Sequence, residues 1–484
     1  MSKNVTKDMT SGSPFKQILL FAIPFLIGNL FQQFYNIADM VIVGRTMNPL
    51  AYAAVGSTSS LVWFAAGAVQ SLSVGFSVVT AQHFGAGDEN NVKRSFASAI
   101  KLSAIISLAL TLVCVIFARP LLEVLRTPAN LIDDAYSYIV WIFIGLLANV
   151  FYNLLSNMIR ALGDSRTPLY FLIVACVVNI ILDIVLIKYC NMGTAGAGVA
   201  TVVAQVFAGV LCLIYIIKKH PMLHVSFKHF KTDLKMDMSL LKIGVPMAFL
   251  NMVLSVGAVI VQFVTNGFGA VYVSSQVTGS KIETFVTQPL LSFGSAVSVF
   301  AAQNYGAKKY KRVLDGSKKT LLMSYGWCVI AALIILPAGK LIIRLIAGDV
   351  DDAVVNNAYI YILSNTALTF ILAPLIVYKN VLQAVGKTTW TMISGFTEII
   401  GRAGVSLFLV FLVSKAIVSE ASGFIFICLS NPTAWLFGLL TVLVDYILLV
   451  KKFKRLIAAR RSGASDGDFT VAEGAELQSD VEVK

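Results

Sequence analysis

The chain has 484 residues, of which 57% are hydrophobic and only 13% are charged, against about 25% charged residues in ordinary soluble domains. This composition excludes an ordinary soluble fold and is typical of a protein embedded in a lipid bilayer. The formal net charge of +13 could suggest nucleic acid, but the basic residues are distributed over many short segments rather than gathered on one domain, so we expect no nucleic-acid partner.

Apolar stretches long enough to cross a bilayer recur along the whole chain. A helical span needs about 20 predominantly apolar residues, and such stretches begin near residues 16, 53, 97, 135, 166, 195, 240, 270, 319, 356, 388 and 424. The sequence therefore predicts an all-α polytopic membrane protein with about twelve transmembrane helices.

The distribution of basic residues predicts the topology. Most of the 38 lysine and arginine residues fall in segments that would share one side of the membrane with the N-terminus. Because loops rich in lysine and arginine stay in the cytoplasm, we expect both termini to be cytoplasmic and the protein to lie in the cell (inner) membrane. We expect contact with membrane lipid and a monomeric state.

The two halves of the chain resemble each other at a nearly constant offset. Three pairs of segments match: "FAIPFLIGN" (21–29) with "IGVPMAFLN" (243–251), "AQHFGA" (81–86) with "AQNYGA" (302–307), and "RALGDSRTP" (160–168) with "QAVGKTTWT" (383–391). Each half holds about six spans, an even number, so both halves enter the membrane in the same direction. The sequence predicts two six-helix lobes related by a pseudo-two-fold axis along the membrane normal.

These patterns predict five segments along the chain. The longest basic connection is the natural link between the lobes, and the acidic, small and polar composition of the C-terminal end is typical of a disordered tail. In chain order we predict a cytoplasmic N-terminal segment (1–15), an N-lobe with spans 1–6 (16–217), a cytoplasmic inter-lobe loop (218–238), a C-lobe with spans 7–12 (239–455) and a disordered cytoplasmic tail (456–484).

The first span carries a carboxylate, Asp39, within "FYNIADMVIVG". An Asp at the bilayer centre costs about 2.5 to 3.5 kcal/mol, so such residues usually face a cavity or a partner. Tyr35 precedes Asp39 by four residues, and Asn36 follows Gln32 by four, so these polar groups form one stripe of the helix. Pro24 in the same span removes a backbone hydrogen bond. We expect a kink in the helix at Pro24, and the alternative is a hinge that moves.

A second carboxylate, Asp183, lies in "NIILDIVLI", four residues after Asn179. The predicted topology puts both residues at the depth of Asp39, and Thr201 of the sixth span returns to that depth. Two carboxylates that close would couple their titrations. The four residues therefore predict a proton or sodium site, and Na⁺ at Asp39 and Asp183 is the one metal ion that we consider. The alternative is that these groups only hydrogen-bond across helices and hold the bundle together.

The C-terminal half has no carboxylate at the position that repeats Asp39. Glu398 and Arg402 are four residues apart in the favourable orientation for a helical ion pair, which we expect to be structural. A further hypothesis is a C-lobe cavity lined by four polar residues of spans 7 and 8: Lys281, Glu283, Gln262 and Gln288.

Signatures of soluble enzymes are weak in this chain. "GTAGAG" (193–198) lacks the spacing of a phosphate-binding loop and is more typical of helix packing by small residues. The four histidines form no HExxH motif, and the six cysteines show no CxxC spacing. We therefore expect no catalytic residues and no cofactor, with an ion gradient or a separate subunit as the energy source.

The segments around Pro24 and Asp39, both "AQ" motifs, "RALGDSRTP" and "NIILD" together resemble the multidrug and toxic compound extrusion (MATE) family. The resemblance covers residues 14–455 and implies a twelve-helix antiporter that expels organic, often cationic, compounds while H⁺ or Na⁺ enters. It also implies that Asp39 and Asp183 carry the coupling ion. Spans 7 and 10 lack the acids of the norfloxacin-efflux branch, so the chain looks closer to the DinF-like branch.

These observations favour alternating access driven by an inward ion gradient. The alternative is a flippase of the same superfamily that moves a lipid-linked saccharide, for which additional spans and a strongly basic cavity would be expected. Only Lys281 and Arg402 fall inside the predicted membrane interior as basic residues, which disfavours a flippase. A membrane enzyme or a receptor would have to explain the duplication of six spans.

Overall fold

The computed structural model describes residues 8–47, 49–125, 127–231, 233–348, 350–414 and 420–461. These residues form α-helices joined by short turns, and no strand occurs among them. The helices are α1 (Pro14–Thr46), α2 (Pro49–Gly85), α3 (Glu89–Val124), α4 (Ile132–Ile144), α5 (Leu146–Ala161), α6 (Arg166–Ile184), α7 (Gly193–Lys219), α8 (Leu234–Asn266), α9 (Ala270–Gly306), α10 (Tyr310–Ala347), α11 (Asp352–Ala384), α12 (Thr389–Ser414) and α13 (Glu420–Arg461).

The helices divide into six spans before the central connection and six after it, when α4 and α5 are counted as one. Ten of the described helices are long and apolar enough to cross a membrane, and α4 with α5, bent by 43° at Gly145, can make an eleventh. The remaining helix, α12, has 26 residues and carries Glu398 and Arg402 inside it. This arrangement confirms the predicted all-α architecture of two six-helix lobes.

Two predicted boundaries differ from the observed helix ends. The connection between α7 and α8 is shorter than 218–238, because the Asp233 carboxylate caps α8 by accepting a hydrogen bond from the Met236 backbone N–H (3.3 Å). Helix α13 continues to Arg461, beyond the predicted bound of 455, because Leu456 and Ile457 pack against the hydrophobic core. Residues 1–7 and 462–484 lie outside the described part of the chain, and with them most of the predicted tail.

The two repeated "AQ" motifs pack against each other across the boundary between the lobes. Gln82 of α2 donates its side-chain amide to the Ala384 carbonyl of α11 (2.7 Å). Gln303 of α9 donates in the same way to the Ala161 carbonyl of α5 (2.8 Å). Each motif of one lobe thus contacts the "RALG" or "QAVG" motif of the other, as a pseudo-two-fold axis requires. We call these two bonds the crossed glutamine contacts.

Two glycines bring the backbones of the lobes together beside the crossed glutamine contacts. A Cβ atom on Gly85 would overlap the Gln303 carbonyl, and one on Gly306 would overlap the Gln82 carbonyl. A third close approach joins Gly75 of α2 to the backbone of Gly244 in α8. At these glycines there is no room for a side chain, and the lobes meet there backbone to backbone.

We expect Gly306→Ala to destabilise the described arrangement by about 1 to 3 kcal/mol, the usual cost of overpacking. The added methyl group would overlap the Gln82 carbonyl, which belongs to a backbone and cannot move alone. Thermal unfolding of the purified protein in detergent measures the change. Gly326→Ala in α10 is the matched control, since no atom lies within 4 Å of the added methyl group. Equal melting temperatures for both variants would contradict the close approach.

Candidate functional site

The two N-lobe carboxylates meet inside the lobe. Asp39, late in α1, and Asp183, at the end of α6, are 7% and 0% exposed, and their carboxyl groups lie within hydrogen-bonding reach of each other. Each also has one buried oxygen that accepts no hydrogen bond from the described residues. Because an ionised carboxylate can only accept hydrogen bonds, two carboxyl groups at this separation can bond directly only when one of them carries a proton.

Two neighbours complete the cluster. With its amide oriented to satisfy both contacts, Asn179 donates to Asp183 Oδ2 (2.9 Å) and accepts from the Thr201 backbone N–H (3.2 Å). The Tyr35 hydroxyl donates to Thr201 Oγ1 (3.1 Å). The structure therefore brings together all four residues that the sequence placed at one depth, and Tyr35 with them. Their carboxylate, amide and hydroxyl oxygens are ligands of the type that hard cations such as Na⁺ accept.

The backbone after Asp183 departs from a regular α-helix. Helix α6 ends at Ile184, and residues Val185–Tyr189 continue as a π-helical turn. Such turns are rare and occur frequently at functional sites. Asp183 thus lies in the last turn before a change of helical pitch, a feature that the hydropathy pattern did not indicate.

A cavity of about 290 Å³ opens beside Asp39. It is enclosed by α1, α2, α4, α5 and α7, and Asp39 is the one charged residue among the described residues that line it. Asp183 and Asn179 lie behind Asp39 and do not line the cavity. The lining also holds aromatic rings and side-chain amides that sequence reasoning missed: Trp63, Tyr138, Gln70, Asn149, Asn153 and Gln205.

This lining suits organic compounds that carry both rings and polar groups. The rings of Trp63 and Tyr138 offer apolar and cation–π contacts, while the amides can donate and accept hydrogen bonds. The missed amides left a weak signal in the sequence, since Asn149 and Asn153 are four residues apart in an apolar span. Of the other predicted residues, Pro24 is buried within α1, and the side chain of Asn36 lies outside the described part of the structure.

The residues predicted to share a C-lobe cavity have separate environments. Glu283 of α9 accepts hydrogen bonds from the Tyr361 hydroxyl (2.8 Å) and the Asn431 amide (3.2 Å). Gln262 bonds to Asn266 in its own helix (2.8 Å), Lys281 is exposed on the surface of the bundle, and Gln288 is buried. Only Glu283 of the four joins a network between helices.

The predicted ion pair between Glu398 and Arg402 is wrong. Glu398 pairs instead with Lys379 of α11 at 2.5 Å, with both side chains largely buried. Arg402 points to α8, where its Nη1 donates to the Leu254 carbonyl (3.4 Å). The prediction failed because Lys379 was not counted among the basic residues of the membrane interior, whereas α11 continues to Ala384 and carries Lys379 inside the bundle.

Comparisons with known proteins agree with this architecture. The MatE family profile matches residues 24–185 and again 246–408, one match in each lobe. The chain is 27% identical to "Probable multidrug resistance protein YoeA" of Bacillus subtilis over 93% of this chain and 96% of that protein. It is 29% identical to "Probable multidrug resistance protein YpnP" of the same organism over 73% of this chain and 79% of that protein.

Solved structures share the fold. One described as "Crystal structure of MATE in the bent conformation" superposes with a TM-score of 0.84 at 18% identity, covering 94% of this chain and 100% of that chain. Another, an "Outward-facing conformation of a multidrug resistance MATE family transporter of the MOP superfamily", gives a TM-score of 0.83 at 19% identity, covering 93% and 99%. Because the family profile matches both lobes over more than half of the sequence, the chain belongs to the MatE family, the multidrug and toxic compound extrusion transporters.

Proposed function

We propose that this chain is a secondary active multidrug efflux transporter that exports organic, often cationic, compounds in exchange for H⁺ or Na⁺. The single observation that carries the proposal is the contact between Asp39 and Asp183, with Asp39 facing the cavity. Relatives that match along most of the chain are named as multidrug resistance proteins, and their type of substrate fits the aromatic and amide lining. The assignment to the DinF-like branch stays a prediction.

The carboxylate pair supplies the coupling. When the pair is negative, its charge favours a cationic compound in the adjacent cavity. When H⁺ or Na⁺ binds between the two carboxyl groups, that charge is neutralised and the compound is released. A ligand shifts a conformational equilibrium only by its different affinities for the two states. Each binding and release step must therefore change the relative stability of the inward-facing and outward-facing states.

The position of the cavity relative to the inter-lobe contacts supports alternating access. The cavity lies toward the ends of α1 and α2 that are remote from Gly85 and Gly306, where the backbones of the lobes meet. With both termini in the cytoplasm, as the basic loops predict, the crossed glutamine contacts would close the cytoplasmic end. The inward-facing state then requires these contacts to separate.

The other components of the proposal follow from the same site. We propose that no cofactor and no catalytic residue take part. We propose also that the protein acts as a monomer surrounded by membrane lipid, and that its partners are small organic substrates and not nucleic acid. A flippase for a lipid-linked saccharide would be expected to present basic residues to its cavity. No lysine or arginine occurs among the described residues that line the cavity beside Asp39.

Transport by the reconstituted protein tests the proposal. Proteoliposomes with an imposed H⁺ or Na⁺ gradient are loaded with a panel of fluorescent organic cations, and dye movement is followed over time. We expect dye transport with one of the two gradients and its loss when an ionophore collapses that gradient. Transport that persists without any gradient, or movement of a lipid-linked sugar in place of all dyes, would exclude ion-coupled multidrug exchange.

A further inference from the structure

Arg160 places a guanidinium group at the boundary between the lobes, and it forms no ion pair within 4.0 Å with the described residues. It belongs to the last turn of α5, inside the repeated "RALG" motif. Its Nη1 donates to the Asn157 side-chain oxygen (3.1 Å), and its Cζ lies over the Phe25 ring, 4.8 Å from the ring centre. Both contacts are with neutral groups. Its Nε is buried and bonds to no described residue.

The carboxylate closest along the chain, Asp164, attracts Arg160 through space but makes its hydrogen bonds to other, neutral groups. Asp164 Oδ1 accepts from the backbone N–H groups of Arg166 (3.0 Å) and Thr167 (3.1 Å), and its Oδ2 accepts from the Thr167 hydroxyl (2.7 Å) and the Tyr215 hydroxyl (2.9 Å). Among the described residues, the ion pairs within 4.0 Å involve other arginines and lysines. A buried guanidinium without a direct ion pair is costly, so Arg160 favours an anion in contact with it.

A small cavity lies beside Arg160 and is shared by both lobes. It measures about 50 Å³, which is enough for one small ion and far below the cavity beside Asp39. The N-lobe contributes Ser77, Asn157 and Arg160 to its lining, and the C-lobe contributes Ser295, Ser298 and Asn380. One amide hydrogen of Asn380 is used on the Ile376 carbonyl (2.9 Å), and the second donates to no other described residue, which leaves it available for an anion.

We propose that this cavity binds a small inorganic anion of the chloride type. The guanidinium supplies the charge, and the Ser298 hydroxyl and the Asn380 amide of the C-lobe supply hydrogen bonds, since the Ser295 hydroxyl already donates to the Leu291 carbonyl (3.1 Å). Because both lobes contribute to the lining, separation of the lobes at the crossed glutamine contacts would divide the site. The anion therefore binds the closed arrangement more tightly and stabilises it by linkage. This inference depends on the contact between the lobes and not on the transported compound.

Thermal unfolding of the full chain in detergent tests the anion site. The melting temperature is measured while sodium gluconate is replaced by sodium chloride at constant sodium concentration and ionic strength. We expect a saturable rise of roughly 2 °C or more with chloride and no rise with gluconate, which is too large for the cavity. Arg160→Gln should abolish the rise. The matched control is Arg344→Gln, an exposed arginine paired with Asp352, which should keep it.

A milder variant provides a second test if Arg160→Gln does not fold. Ser298→Ala leaves every charge in place and removes one hydroxyl donor of the C-lobe, so we expect the half-saturating chloride concentration to rise about tenfold, the effect of one lost hydrogen bond. Identical melting curves of the unmodified protein in chloride and gluconate would overturn the proposal. So would a full chloride response in Arg160→Gln, or an unchanged half-saturating concentration in Ser298→Ala.

Discussion

Asp183→Asn is expected to abolish ion-driven dye efflux while the protein stays folded. The substitution keeps the size of the side chain, and its amide can still hydrogen-bond to Asn179 and Asp39. It removes the second carboxylate, however, so the site can no longer exchange a bound proton or Na⁺ for a bound cationic compound. We expect the ion-driven transport rate to fall by about tenfold or more, which corresponds to at least about 1.4 kcal/mol of lost coupling.

The effect is measured in proteoliposomes with the gradient that drives the unmodified protein. Asp39→Asn and the double variant should lose transport to the same extent as Asp183→Asn, because residues that act as a unit are strongly non-additive. Asp133→Asn is the matched control, since Asp133 is an exposed carboxylate paired with Arg119 on the surface. Losses that simply multiply in the double variant would show that the two carboxylates act independently.

Lys379→Met is expected to destabilise the C-lobe by about 3 to 5 kcal/mol, the usual cost of leaving one member of a buried ion pair alone. Glu398 is 4% exposed, and its carboxylate packs closely against Gly438 of α13. The side chain has no room to turn toward water after its partner is removed. The melting temperature of the purified protein should therefore fall sharply.

Removal of both charges separates the cost of an unpaired charge from the value of the pair. We expect Lys379→Met combined with Glu398→Leu to recover much of the stability, because two apolar side chains of similar volume can replace a buried pair. Lys93→Met is the matched control, since Lys93 and Glu89 form a more exposed pair at 2.8 Å whose loss should cost less than about 1 kcal/mol. A double variant that is less stable than Lys379→Met would refute this account.

The fold could be predicted largely from the sequence because a bilayer permits few backbone conformations. Backbone polar groups in lipid must be satisfied within the chain, so each long apolar stretch had to be a helix. The repeated motifs then fixed the division into two lobes. The bend at Gly145 was not predictable, because it depends on a neighbour: a side chain on Gly145 would collide with Val202 of α7, and hydropathy carries no information on such contacts.

The sequence predicted the site only for residues that a shared depth in the membrane was enough to bring together. Asp39, Asn179, Asp183 and Thr201 lie on three helices, and a count of residues from the membrane surface was enough to bring them to one level. Partner choice between helices was not predictable in the same way. The spacing of Glu398 and Arg402 describes one helix, whereas the partner of Glu398 comes from α11. The amides of the cavity were missed for the same reason, since they become a group only when α2, α5 and α7 assemble.

The crossed glutamine contacts have a consequence for how such a molecule can arise. Each lobe supplies one donor, the amide of its "AQ" motif, and one acceptor, the carbonyl at the end of "RALG" or "QAVG". A single six-helix unit therefore already carries both members of the contact and is complementary to a rotated copy of itself. Two identical units would therefore pair through this surface, and the acidic pair of Asp39 and Asp183 then distinguishes one half of the present chain from the other.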